Sequence, residues 1–122
     1  TAQRQAREQE LLFIGDQFRK AIARYYKAGA REYPQTLEDL LRDPRQPGVA
    51  RYLRKIYRDP VTGDTEWGLV RTVGDRIMGV YSRAAGRPVK QGGFEKPSEA
   101  FDNSVSYAEW KFFVPPPEKK QP

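Results

Sequence analysis

The residues with the most chemical potential in this chain gather between Asp59 and Glu66, in the stretch DPVTGDTE. Asp59, Thr62, Asp64 and Glu66 offer oxygen donors at close spacing, the ligand type that calcium prefers. The spacing is not that of an EF-hand loop, which needs acids at alternate positions and a glycine at the sixth. Pro60 also fixes the backbone directly after Asp59. The same residues spell a turn, with proline at its second position and Gly63 free to take positive φ. We read a turn rather than a metal site, because Asp, Pro and Gly cluster in turns for backbone reasons alone. A second acidic pair, Glu8 and Glu10, falls in a polar segment where nothing is expected to shield it from water.

Missing residue types narrow the chemistry further. The chain has neither Cys nor His. Zinc sites of the usual kinds, thiol nucleophiles, Ser–His–Asp triads and disulfides are therefore excluded. The commonest general base near neutral pH is missing too. Carboxylate, Lys or Tyr chemistry and oxygen-ligated metals remain, but no constellation supports an enzyme or a small-molecule substrate.

The formal net charge is +6. A basic protein can meet nucleic acid, an anionic membrane surface or an acidic partner, and charge alone does not choose among them. The densest basic run is Arg51, Arg54, Lys55 and Arg58, with Tyr52 and Tyr57 interleaved. On a helix these cations share one face and could track phosphates. No nucleic-acid module accompanies them, so a solvated face opposite Val49, Leu53 and Ile56 is the plainer reading. Tyr25, Tyr26, Trp67 and Trp110 could form a stacking platform. Aromatics at such spacing are more often core, and both tryptophans are expected to be buried.

One small fold must position these groups, since 122 residues make one modest core. No stretch approaches the ~20 apolar residues of a membrane span, and no signal peptide is visible. The segment from Ala2 to Ala28 reads as one long helix. Leu11, Ile14, Phe18, Ile22 and Tyr25 recur at spacings of three and four, and Gly29 suits its end. Arg7, Glu10, Gln17, Lys20, Arg24 and Lys27 fall on the other side. The core stripe starts only at Leu11, so about two polar turns are expected to project beyond the core. A frayed terminus and a helix that continues upstream explain this equally well. The chain starts at Thr1 rather than Met, which leaves room for a removed segment.

Beyond Pro34, Thr36 is a fair N-cap with Asp39 in capping-box position, ahead of Leu37, Leu40 and Leu41. Val49, Tyr52, Leu53 and Ile56 predict a second short helix or helical turn over Val49–Tyr57. Glu66–Thr72 and Arg76–Ser82 read as strands joined by a hairpin turn at Gly74-Asp75. Tyr107–Val114 is expected to be a third strand, after a Gly-, Pro- and Ser-punctuated loop over Ala84–Ser106. The fold class is α+β: a long N-terminal amphipathic helix packed on a small antiparallel sheet. A single domain is expected over 1–114, divided into the helix (1–28), short helices and linker (29–65) and the sheet with its loop (66–114). A Pro-rich extended tail is expected over 115–122.

The order of these pieces resembles the type IV pilin-like superfamily, and more narrowly the pseudopilins of type II secretion systems, the group similar to the major pseudopilin. The residues that carry the likeness are Tyr33-Pro34 after the long helix, Leu37, Leu40 and Leu41, then Asp59-Pro60 with Thr62-Gly63. Trp67-Gly68-Leu69, Ile77, Gly79-Val80, Ser82 and the closing Trp110 follow. The likeness runs from about Glu8 to Phe113 and implies a pilin-like head.

Such proteins insert in the bacterial inner membrane through an apolar N-terminal half-helix, behind a leader that a prepilin peptidase removes. Their heads stack outside a helical filament, in the periplasm for a pseudopilus. The resemblance therefore implies partners that are copies of the same chain and other pseudopilins or pilins, and no catalysis. Gln3–Glu10 would form the neck, and the Asp59–Glu66 stretch the corner between the helical half and the sheet. The implied assembly surface is the long helix with Arg7, Glu10, Arg19 and Arg24.

The apolar segment and leader site are not in this sequence, and the disulfide-closed C-terminal region of many pilins has no counterpart. Major pseudopilins often bind calcium in a C-terminal loop. The matching region, Gly86–Ser106, supplies Glu95, Glu99, Asp102, Asn103 and Ser104 but no dense acidic cluster. Calcium is not favoured, with Asp102 and Asn103 as the candidate ligands if it binds. The alternative function is a nucleic-acid-binding module, or a DNA-binding minor pilin, that uses Arg51, Arg54, Lys55 and Arg58.

Overall fold

The computed structural model describes residues 1–117. Helix α1 spans Ala2–Ala28, with the Thr1 hydroxyl accepting from Arg4 N at its start. The predicted stripe of Leu11, Ile14, Phe18, Ile22 and Tyr25 is buried along its whole length. It packs on a sheet of β1 (Gly68–Arg71), β2 (Ile77–Tyr81) and β3 (Phe112–Phe113), ordered β1-β2-β3 with both pairs antiparallel. Gly15 makes the close approach possible. A Cβ there would run into the Phe112 ring, so its bare backbone lets β3 press against the helix.

The layout is the expected α+β one. Leu69 pairs with Val80, Val80 with Phe112, and the β1–β2 register shifts between Val70 and Arg71. The hairpin turn falls where Gly74-Asp75 predicts it, and Asp75 takes the positive φ of 63°. The capping box also forms: Thr36 Oγ1 accepts from Asp39 N, and the Asp39 carboxylate accepts from Thr36 N. It opens a 3-10 turn over Leu37–Leu40.

Two expected elements differ. Val49–Tyr57 is not helical. The N–H groups of Tyr52 and Leu53 both donate to Leu40 O, and Asp43 N donates to Ala50 O, so the segment is held against residues 40–43 instead of coiling on itself. Val49 is 80% exposed while Leu53 is buried, so their helical spacing reflects no shared face. The third strand is reduced to Phe112–Phe113, because Tyr107–Glu109 forms a 3-10 turn. There the Glu109 carboxylate accepts from the backbone N–H groups of Val105 and Ser106 and caps the turn.

Both tryptophans are buried, as expected, although Trp67 precedes β1 and Trp110 precedes β3. The loop after β2 also feeds the core. Phe94 and Phe101 pack on Trp110, with Phe101 stacked at 3° and 5.7 Å. Of the expected tail, residues 115–117 are exposed and without regular structure, and 118–122 lie outside the described residues.

Candidate functional site

The first turns of α1 are exposed as expected, except on one side, where half-buried Arg4 and buried Glu8 hold them to the fold. Glu8 is 1% exposed. Its carboxylate accepts from Val89 N at 2.7 Å, Lys90 N at 2.9 Å and the Tyr107 hydroxyl at 2.6 Å. Tyr107 in turn accepts from Arg4 Nε at 3.1 Å. A buried carboxylate is tolerated when its lone pairs are filled, and here three donors fill them. Burial pushes the Tyr107 hydroxyl pKa up, and the Glu8 carboxylate beside it adds to the rise.

The signal for this clamp was in the spacing. Arg4, Glu8, Leu11, Gly15, Phe18, Ile22 and Tyr25 alternate at four and three residues, so Arg4 and Glu8 continue the core stripe in polar form. A search for apolar residues alone passes over them.

Asp59 is also buried, and its chemistry is that of a turn. Its carboxylate accepts from Val61 N at 2.8 Å and Thr62 N at 3.4 Å, and Gly63 takes φ of +83°. The other carboxylate oxygen accepts from the Ser82 hydroxyl at 2.5 Å. That bond ties the turn to the end of β2. Asp64 accepts from the Thr62 hydroxyl and Glu66 N, while Glu66 pairs with Arg83 at 3.4 Å. The acids of this stretch are thus turned to separate local partners.

Among the described residues no group of three or more acids gathers that could hold a metal ion. Asp102 and Asn103 are both exposed, and Asn103 N is spent on Gln91 O at 3.0 Å.

Without a helix, Arg51, Arg54, Lys55 and Arg58 share no helical face. Arg51 donates to the carbonyls of Leu53 and Arg54, and Arg58 to that of Gly63. Lys55 lies 5.3 Å from the Tyr57 ring centroid, and Arg54 is exposed. Two of the guanidinium groups therefore brace their own loop.

The four helix residues expected at an assembly surface are also divided. Glu10 and Arg24 lie on an outward ridge with Phe13, Gln17, Lys20 and Lys27, again spaced by three and four. Phe13 is 62% exposed on this ridge. Arg19 is held elsewhere, paired with Asp16 at 2.5 Å and lying over the Phe112 ring. Arg7 is exposed on a different side, where it lines a cleft with Arg4 and Arg83.

At the far end of α1, Asp43 and Arg45 form a second buried polar cluster that local spacing does not announce. Asp43 accepts from Arg45 N, Nε and Nη2 and from the Tyr52 hydroxyl, and Arg45 Nη2 also donates to Tyr25 O. The guanidinium sits 3.7 Å from the Tyr25 ring centroid.

Comparison with family models, with curated proteins and with solved structures returns no match to this chain.

Proposed function

We propose that this chain is the head domain of a structural subunit of a type II secretion pseudopilus or a related type IV pilus-like filament, which acts by helical assembly rather than catalysis. The observation that carries the reading is the 27-residue helix. One stripe of it is buried on the small antiparallel sheet, while a second stripe stands outward with its charges and Phe13. The outward stripe has Glu10 near one end and Arg24 and Lys27 near the other. Opposite signs at the two ends let neighbouring heads set their register as they stack. Partners are copies of this chain and related subunits, and no cofactor is needed.

In this reading the domain lies in the periplasm and an upstream apolar half-helix anchors it in the bacterial inner membrane. The coding sequence upstream of Thr1 tests it. About 20 apolar residues behind a short basic leader are expected. A start codon immediately before Thr1, or a soluble domain there, overturns the proposal.

A further inference from the structure

We infer that the cleft between the first turns of α1 and the segment after β2 is a binding site for a phosphate group, gripped by Arg4, Arg7 and Arg83. The cleft has a volume of about 480 Å³. Its walls include those three arginines with Thr62, Ala84 and Ala85, and among the described residues no acidic side chain lines it. Guanidinium forks match phosphate oxygens in geometry as well as in charge.

Arg4 is already fixed for this task. Its Nε donates to Tyr107, which is anchored on buried Glu8, so little side-chain freedom is lost on binding. Gly86, at φ +97°, gives the guanidinium room: a Cβ there would come within 2.9 Å of Arg4 Nη2. Among the described residues, no hydrogen bond or ion pair engages the Nη atoms of Arg4 or the guanidinium of Arg7. Arg83 has one competitor, Glu66 at 3.4 Å, with both side chains largely exposed. Such a pair is weak and screened, and a phosphate dianion competes with it readily.

The acids hydrogen-bonded to Thr62 on the cleft wall turn their oxygens to neutral donors. Asp59 is buried with its carboxylate on Val61 N, Thr62 N and Ser82 Oγ, and Asp64 accepts from the Thr62 hydroxyl. The wall itself is set by that network, because Ser82 Oγ both donates to Asp59 and accepts from Ala84 N.

The inference does not depend on the filament reading, because the cleft lies within one chain. It is tested by titrating the protein with inorganic phosphate at low ionic strength, followed by amide NMR. Co-sedimentation with phosphatidylglycerol vesicles, against phosphatidylcholine vesicles, forms the second arm. Arg7→Gln/Arg83→Gln is compared with Lys27→Glu, which lowers the net charge by the same two units about 30 Å along the helix. All three side chains are exposed, so the variants keep the fold.

Shifts at Thr62, Ala84 and Ala85, with binding weakened about tenfold or more in the double variant and not in Lys27→Glu, are expected. Response to inorganic phosphate identifies a free phosphate compound as the ligand, and response to the anionic vesicles alone identifies a lipid headgroup. No response to either probe overturns the site. So does equal weakening by Lys27→Glu, which would reduce the effect to net charge.

Discussion

Asp43→Asn is expected to destabilise the fold by a charge effect that acid removes. Asp43 is 1% exposed, and Arg45 reaches it through N, Nε and Nη2 at 2.8–2.9 Å, with the Tyr52 hydroxyl at 2.8 Å. The Arg45 hydrogen bonds outweigh burial and lower its pKa from 3.8 to about 2. At ~1.4 kcal/mol per pKa unit, the ionised form contributes about 2 kcal/mol of stability. Because the folded pKa is the depressed one, that stability is present above pH ~4 and is lost as pH falls from about 4 to about 2. Asparagine keeps the shape and loses the charge, so the variant should unfold about 2 kcal/mol more easily at pH 7. For a domain of this size the melting temperature then falls by roughly 6–10 °C. Urea unfolding of both proteins at pH 7, 5, 3 and 2 is the assay. Their difference should be constant down to pH 5 and shrink towards pH 2. A difference that stays constant to pH 2, or a variant as stable as the parent at pH 7, refutes the assignment of this energy to the Asp43 charge.

Glu8→Gln should cost on the order of 1–3 kcal/mol, since a charged acceptor of three hydrogen bonds becomes a neutral one. Faster hydrogen exchange at the Val89 and Lys90 amides should accompany it, and unchanged protection there would count against the clamp. Gly15→Ala is expected to destabilise by about 1–2 kcal/mol in thermal melts, because crowding of the Phe112 ring exceeds the gain in helix propensity. A more stable variant would show that β3 yields freely. Reversing charge at Glu10→Arg or Arg24→Glu should abolish filament formation in an assembly assay while leaving the melting temperature nearly unchanged, since both side chains are exposed. Normal filaments from either variant would remove the charged ridge from the assembly contact.

Local chemistry explains what the sequence makes legible. The stripe from Leu11 to Tyr25, the Thr36–Asp39 box and the Gly74-Asp75 turn each depend on residues close in the chain. Val49–Tyr57 does not. Its helical spacing is overridden by Leu40 O, which accepts from Tyr52 N and Leu53 N. In Tyr107–Val114 the aromatic alternation suggests a strand, yet Glu109 caps a 3-10 turn through its carboxylate. The cleft was least legible, because Arg4, Arg7, Thr62 and Arg83 meet only after α1 is laid beside the end of β2. The acidic oxygens of Asp59–Glu66 show the reverse case: close in sequence, they serve separate partners.

Two of the three carboxylates buried among the described residues, Glu8 and Asp43, do related work at opposite ends of α1. Glu8 accepts from a tyrosine hydroxyl and from two backbone N–H groups of the loop after β2. Asp43 accepts from a tyrosine hydroxyl and holds the arginine that donates to Tyr25 O. Apolar packing resists separation of the helix from the sheet but is non-directional, so it tolerates small rotations about the helix axis. Hydrogen bonds to buried carboxylates are directional, and a rotation that breaks one strands a charge out of water. With one such contact near each end, the azimuth of α1 is set along its length. The outward ridge from Glu10 to Lys27 is set with it, as is the side on which Arg4 and Arg7 line the cleft together with Arg83. Loosening either carboxylate should therefore disturb surfaces it does not touch, and Glu8→Gln combined with Asp43→Asn should blur both more than either change alone.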